Sequence, residues 1–332
     1  MGTYSLLIDL GTTTIAFGLY DDDQKKCLNF LSMENPQKIF GQDVISRIKA
    51  CMEGKSSEQK DLVINAMKDG LLSLCKTSGI SKESVNRIII GANTTMIHIL
   101  LGYDVTPLSK APFKVSEEPP APFIYEKKSV EIIPWASAFI GGDIVSGLRY
   151  IEHMRKENSD EGAYIFMDLG TNGEMVLSSD DELFATAVAA GPAFEGGDLS
   201  CGVAGIPGAI KGVKLNGFTP KFDTVGDRHP VGICGAGAVS IVSELIKNGY
   251  VMSDGVLTGR FPDEGLILST HSATSDRHPI IFTADDMHRI LLAGAAVAAG
   301  TDTLLKAAKL DYPDISSVYL AGDRKSTRLN SS

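Results

Sequence analysis

Tyr4-Ser5-Leu6-Leu7-Ile8-Asp9-Leu10-Gly11-Thr12-Thr13-Thr14-Ile15-Ala16-Phe17 sets two apolar runs on either side of an Asp-Leu-Gly-Thr-Thr-Thr turn. The runs predict two β-strands and the glycine a tight turn between them. The pattern returns later. Ala163 to Met167 is apolar, Asp168-Leu169-Gly170-Thr171-Asn172-Gly173-Glu174 follows, and Met175-Val176-Leu177 is apolar again. The tetrapeptide Asp-Leu-Gly-Thr thus stands at 9–12 and at 168–171, about half a chain apart and in the same context. Two copies in equivalent settings predict a duplicated lobe.

Such a turn has a physical use. Gly11 lets the backbone approach a phosphate, and the amides and hydroxyls of Thr12, Thr13 and Thr14 can donate to phosphate oxygens. Asp9, at a strand end, can hold Mg²⁺, usually through water. The second copy offers Gly170, Thr171 and Asn172 as donors and Asp168 as a second carboxylate. Two hairpins facing each other across a cleft would clamp a nucleotide's phosphates, with Asp9 and Asp168 as the metal-binding carboxylates.

The chain has 332 residues, 31 Lys+Arg against 41 Asp+Glu, and a net charge of −10. At ~150 residues per domain this length predicts two domains. With 43% hydrophobic and 22% charged residues the composition is globular, which excludes disordered and fibrous classes. The acidic balance argues against a nucleic-acid partner. The apolar run Leu291 to Gly300 has ten residues, short of the ~20 of a membrane span. The N-terminus lacks a basic region before an apolar core, so the expectation is a cytoplasmic protein without a signal peptide. Five scattered cysteines without a Cys-x-x-Cys pair predict reduced, mostly buried thiols and no cluster or zinc site from sequence-adjacent ligands.

Helical spacing covers Val44 to Met52 and Gln59 to Lys76, and Ser81 to Glu83 reads as a helix start. Arg87 to Gly91 reads as a strand, Thr95 to Leu101 as a helix, Val130 to Ile133 as a strand and Ile140 to Arg155 as a helix. The Pro-rich 106–126 shows no element. In the second half, helices are expected from Ala236 to Asn248 and from Ala284 to Lys309, with a last strand at Val318 to Leu320. The charged stretch 149–161 is the candidate boundary, giving lobes 1–155 and 156–322. After Gly322 the sequence Asp323-Arg324-Lys325-Ser326-Thr327-Arg328-Leu329-Asn330-Ser331-Ser332 is similar to a translated sequencing adapter. The expectation is that 323–332 is an artefact and that the natural chain continues past Gly322.

Val231-Gly232-Ile233-Cys234-Gly235-Ala236-Gly237 precedes a helix, where Gly232, Gly235 and Gly237 suit either nucleotide approach or tight helix–strand packing. It is not a Walker A loop, since no Gly-Lys-Ser/Thr follows. Gly322 ends a strand where a nucleotide loop can begin.

The paired turns resemble those of the ASKHA superfamily of sugar kinases, heat-shock ATPases and actin. Longer blocks resemble one branch of it, the ATP-dependent reductive activators of corrinoid proteins. They are Asn35-Pro36-Gln37 with Phe40 to Ile48, Gly91-Ala92-Asn93-Thr94-Thr95-Met96-Ile97-His98, Asp168 to Glu174, Ala190 to Gly196, and Gly232 to Gly237. The resemblance implies an α/β, two-lobed fold of the actin, hexokinase and heat-shock-ATPase type, with duplicated ribonuclease-H-like lobes and a central nucleotide cleft. It implies ATP and Mg²⁺ as cofactors and a corrinoid protein of a methyltransferase system as partner. Its electron donor would lie in a missing domain or a separate protein, and a homodimer stays open. ATP binding and hydrolysis would drive the uphill reduction of Co(II) to Co(I). This chain departs from the pattern the resemblance implies in three places. Gly294 stands where a Lys is usual in the long helix, and the adapter-like tail stands where a Gly pair and Phe are usual after the last strand. Of the iron–sulfur domain such proteins carry before or after the ATPase part, the expectation is that none precedes the first strand, a C-terminal one staying open. A small-molecule kinase on the same scaffold and a non-catalytic ATP-sensing or chaperone-like module are the rival readings.

Asp143, in Gly141-Gly142-Asp143-Ile144, is the candidate for water positioning or metal contact, with a helix-start cap as its plain alternative. Glu174 could reach the same water, and Glu195 a ribose or a partner. Asn93 and His98 read as satisfied core residues and Cys234 as a buried thiol.

Overall fold

The computed structural model describes residues 2–115, 117–217, 219–252, 255–259, 261–271 and 278–322. The adapter-like stretch 323–332 lies outside them. The chain divides into two compact units between Asp160 and Glu161, inside the charged stretch.

The first unit contains β1 (Tyr4–Leu10), β2 (Thr14–Asp21), β3 (Lys26–Glu34), α1 (Val44–Ala50), α2 (Ser56–Ser78), β4 (Val85–Ala92), α3 (Thr94–Leu101), β5 (Phe123–Tyr125), β6 (Lys128–Ile132) and α4 (Gly142–Asn158). Its sheet runs in the order β3-β2-β1-β4-β6-β5. Alternation decides the faces: Leu6, Ile8 and Leu10 on β1 and Ile15, Phe17 and Leu19 on β2 are buried, while Asp9 is exposed. Helices close the core over that apolar face. At Gly70 of α2 a Cβ would lie 2.8 Å from the Phe17 ring, so helix and sheet meet at a distance only glycine allows. Asp43 caps α1 by accepting the Ser46 amide at 2.8 Å. A π-helical turn over Cys51–Lys55, with Gly54 at φ +89°, separates α1 from α2. The helix start expected at 81–83 is instead one 3₁₀ turn, Lys82–Ser84, feeding straight into β4. Ser81 does cap it, but no apolar periodicity follows to extend it.

The second unit contains β7 (Ala163–Leu169), β8 (Gly173–Ser179), β9 (Glu182–Val188), β10 (Ala209–Asn216), β11 (Thr219–Thr224), β12 (Gly232–Ile233), α5 (Gly235–Lys247), β13 (Leu266–Ser269), β14 (Ile280–Phe282), α6 (Ala284–Ala308) and β15 (Ile315–Ala321). Its main sheet runs β15-β7-β8-β9, with a smaller sheet β11-β10-β12 and the hairpin β13-β14. A capping box of Thr283 and Asp286 starts α6. Its length and composition would suffice to cross a membrane. Here Leu304 and Leu305 join the core formed by Ile165, Met167, Met175 and Leu177, and a Cβ on Gly300 would fall 2.1 Å from Met175 Cε.

The two sheets repeat one pattern. β1 is antiparallel to β2 and parallel to β4, with Asp9 opposite Gly91 and Leu10 opposite Ala92. β7 is antiparallel to β8 and parallel to β15, with Asp168 opposite Ala321. Both Asp-Leu-Gly-Thr segments therefore leave the same position in the same strand order.

Candidate phosphate-binding turns

The first turn is closed by Gly11 N–H donating to the Thr14 carbonyl at 3.0 Å. A Cβ on Gly11 would sit 2.7 Å from that carbonyl oxygen, so a side chain there would break the turn. The three carbonyls of the loop are all taken up by the protein. Asn35 Nδ2 donates to Gly11 O at 2.9 Å, Arg47 Nη2 to Thr12 O at 2.5 Å, and the Asn35 amide to Thr13 O at 2.8 Å. In a trans peptide the C=O and the following N–H point in opposite directions. Pinning these carbonyls aims the amides of Thr12, Thr13 and Thr14 away from the anchors. Among the described residues, the amides of Thr12 and Thr13 have no acceptor. Successive outward N–H groups of this kind form an anion-binding concavity.

The anchors form one buried polar layer. Arg47 is fully buried; its Nε donates to Gly41 O at 3.1 Å and its Nη1 to Gln37 Oε1 at 3.2 Å. Gln37 Nε2 continues to Gln59 O at 3.1 Å, and Gln59 Nε2 returns to Arg47 O at 2.9 Å. Burial lowers the Arg47 pKa to about 10, partly opposed by the field of Asp43. Asn93 is not a merely satisfied core residue: it caps α3 and its Nδ2 donates to the Thr12 hydroxyl at 3.0 Å. Two of the sequence blocks that carry the family resemblance thus converge beneath one turn. Asn35, Gln37 and Arg47 were not among the sequence-based site candidates. A signal existed for Arg47, because Val44, Arg47, Ile48 and Cys51 fall at i, i+3, i+4 and i+7, placing a charge on the apolar face of α1.

Asp143 lies at the same end of this unit. It occupies the first turn of α4, where the N-cap is Gly141 without a side-chain bond, so it is not the cap itself. Its carboxylate accepts the Ile144 amide at 2.8 Å, and burial raises its pKa above the usual aspartate range. A Cβ on Gly141 would meet Ala92 O and Asn93 Cα, both at 2.5 Å, which seats α4 directly on the β4–α3 junction. Asp9 and Gly91 are register partners, so their Cβ directions share a sheet face. On that face a Cβ at Gly91 would lie 3.2 Å from Ser146 Oγ and 3.6 Å from Gly142 O of α4. Asp9 therefore shares its face with the helix turn that bears Asp143. His98 is core, its ring tilted against that of Trp135 at 4.9 Å with Nδ1 2.8 Å from Thr94 O, but its buried Nε2 has no partner among the described residues.

The second turn is built the same way with fewer anchors. Gly170 N–H donates to Asn172 O at 3.0 Å, and the Thr171 carbonyl accepts the Gly191 amide at 2.9 Å. The Thr171 hydroxyl donates to Glu195 Oε2 at 2.9 Å, which places Glu195 against this turn. Glu174 pairs with Asp168 across β7 and β8. Gly322 follows β15 at φ +145°, and a Cβ there would be 2.5 Å from Leu169 O, so this glycine sits at the turn's root.

Gly232, Gly235 and Gly237 are filled by protein instead. A Cβ on Gly235 would lie 1.7 Å from Phe194 O, and one on Gly237 2.1 Å from Ile210 O. One on Gly232 would lie 2.6 Å from Val203 Cγ1. Tight packing thus accounts for these glycines without a nucleotide. Of the five free cysteines only Cys75 and Cys234 are buried; the other three are half-exposed, fewer buried thiols than composition predicts. Among the described residues no group of three or more His, Cys, Asp or Glu side chains is placed to hold a metal.

The family model described as the RACo middle region matches residues 4–157. The model for the C-terminal, ASKHA domain of RACo matches residues 162–326. The chain belongs to the RACo family. Corrinoid activation enzyme RamQ of Eubacterium limosum is 29% identical, aligned over 96% of this chain and 57% of its own length. A Methanosarcina barkeri protein named as a reductase of a Co(II) methylated-amine-specific corrinoid protein is 23% identical, over 96% of this chain and 62% of its own length. The solved structure of a reductive activator for corrinoid, iron–sulfur protein superposes with a TM-score of 0.83 at 32% identity, over 96% of this chain and 54% of that one. The chain thus spans 57% and 62% of the curated relatives. The ASKHA description falls on residues 162–326, while the first unit, with the same strand order around its turn, is the middle region.

Proposed function

We propose that this chain binds and hydrolyses Mg-ATP and couples that cycle to the reductive reactivation of a corrinoid protein. One observation carries the reading: in a chain of this family, the first Asp-Leu-Gly-Thr turn has its carbonyls tied back and the amides of Thr12 and Thr13 left unpartnered. Gly11 and Thr12 to Thr14 bind phosphate oxygens in the first unit, and Gly170, Thr171 and Asn172 do so in the second. Asp9 and Asp168 would hold Mg²⁺ through its water shell, and the ion would offset phosphate charge. Asp143, with a raised pKa and a place on the Asp9 face, orients the attacking water, and Glu174 is the second candidate for that role. One electron passes from a low-potential carrier, in a further domain or a separate protein, to Co(II), giving Co(I). ATP hydrolysis to ADP and phosphate supplies the free energy for this uphill step. The ATP-bound and ADP-bound forms differ in their contacts to the turns, which is how a nucleotide shifts a conformational equilibrium.

The test mixes the purified chain, Mg-ATP, a Co(II) corrinoid protein and a chemical electron donor, and follows the corrinoid spectrum. The expected result is Co(I) formed only with hydrolysable ATP, with hydrolysis accelerated by the corrinoid protein. Phosphate transfer to a small molecule, indifferent to corrinoid, would replace this reading with that of a kinase.

A further inference from the structure

Arg47 carries a full charge in a place where charge is costly. Its side chain is 0% exposed, and among the described residues no ion pair accompanies it. Its partners are neutral: the carbonyls of Thr12 and Gly41, the Gln37 amide oxygen and Met96 Sδ at 3.2 Å. Buried guanidinium groups are ordinarily paired with carboxylates, because desolvation is otherwise repaid only in part. Asp43, among the described residues the one carboxylate whose field reaches it, spends its oxygens on the Ser46 amide and hydroxyl, each at 2.8 Å. The shortest bond of the guanidinium runs to the Thr12 carbonyl, the back of the peptide whose N–H is that of Thr13. A cation on a carbonyl polarises its peptide and makes the opposite N–H a stronger donor.

We propose that Arg47 is a buried counter-charge for the first phosphate turn, a positioning residue that acts through the Thr12–Thr13 peptide and favours the more highly charged nucleotide. This rests on the nucleotide reading given above. An unpaired cation held in low dielectric behind the turn attracts each added negative charge in front of it, with little screening by salt. Its contribution therefore grows from AMP to ADP to ATP. A bracing role alone would shift all nucleotides alike, since the same loop holds each of them. Among the described residues the second turn has no cation bonded to its carbonyls, so the preference belongs to the first unit.

The experiment measures Mg²⁺-free Kd values of AMP, ADP and ATP by calorimetry for the full chain, Arg47→Met and Arg47→Lys. Arg47→Met keeps the volume and removes the charge; Arg47→Lys keeps the charge and loses the fork. The expected result is that Arg47→Met weakens ATP at least tenfold, ADP less and AMP within twofold, collapsing the ATP-over-AMP ratio. Arg47→Lys weakens all three but holds that ratio within about threefold of wild type. An Arg47→Met chain that loses affinity equally for all three overturns the counter-charge and leaves a brace. If Arg47→Met does not fold, a collapsed ratio in Arg47→Lys overturns the proposal just as well, because the charge is still present. A wild-type chain that binds none of the nucleotides overturns the nucleotide reading itself, a result distinguishable from the others because it appears before any substitution.

Discussion

Asn93 is bound in two directions: its side-chain oxygen accepts the Met96 amide at 3.0 Å, and its Nδ2 donates to Thr12 Oγ1 at 3.0 Å. The first bond caps α3 and the second fixes a hydroxyl of the phosphate turn. Two substitutions separate them. Asn93→Ala loses both, so stability should fall by about 1 kcal/mol, the usual worth of such a cap. Asn93→Asp keeps an accepting cap but cannot donate while ionised. Its stability in thermal melts should stay near wild type while ATP affinity falls severalfold. A loss of stability in Asn93→Asp equal to that of Asn93→Ala would show that the Thr12 bond, not the cap, holds this corner.

Asp143 gives a pH-dependent prediction. Burial raises its folded pKa above the unfolded value, so the folded chain holds a proton there that the unfolded chain releases. Between those two values, stability falls as pH rises, and above them the full cost remains. Asp143→Asn removes an ionisable group that is disfavoured when charged. Its melting temperature at neutral pH should equal or exceed that of wild type, and the difference should shrink as pH falls below the ordinary aspartate range. ATP hydrolysis should drop at least tenfold, because the amide cannot accept a proton from water. Unchanged turnover at pH 7 would remove Asp143 from the site and return it to a helix-start role.

The strands beside both turns and the helices of the first unit were legible because period and punctuation agreed there. Leu6, Ile8 and Leu10 alternate with Ser5, Leu7 and Asp9, and Gly79 and Gly102 end α2 and α3 in the left-handed region. β3 was hidden because each of its residues is at least partly exposed, so Lys26 to Glu34 shows little apolar contrast between its faces. The turn residues were legible as donors, but their anchors were not. The bonds from Asn35 and Arg47 to the turn span 22 to 35 residues, and the charge on the apolar stripe of α1 marks Arg47 as buried without showing which carbonyl it meets. The glycines of 232–237 were ambiguous for a different reason. Sequence shows that a side chain is excluded and says nothing about whether protein or ligand excludes it; here Phe194 O and Ile210 O do.

Asp9 is exposed at the end of β1, so its role can be tested without opening the core. Asp9→Asn should change stability by less than ~0.5 kcal/mol, as surface substitutions usually do. If Asp9 holds Mg²⁺, the Mg²⁺ concentration for half-maximal ATP hydrolysis should rise about tenfold in this variant. Chelation by EDTA should abolish turnover in both proteins. An Asp9→Asn chain with an unchanged Mg²⁺ requirement would leave Asp168, or phosphate and water alone, to hold the ion.

Two glycines on helices should respond to alanine in opposite directions. Gly235 opens α5 with its missing Cβ 1.7 Å from the Phe194 carbonyl, an oxygen fixed in the backbone. Gly235→Ala must push the helix or the 192–195 turn away and should cost about 3 kcal/mol or more, the upper range for overpacking. Gly294, in the middle of α6, is exposed with nothing within 4 Å of a built Cβ. Gly294→Ala removes backbone freedom from the unfolded chain and should stabilise by about 0.5–1 kcal/mol. For a chain of this size that is a melting temperature higher by roughly 1–4 °C. Gly294→Lys should stabilise slightly less, since lysine is a good helix former with more side-chain entropy to lose. If Gly294→Lys also raises ATP affinity while Gly294→Ala does not, this helix position contributes to the nucleotide site.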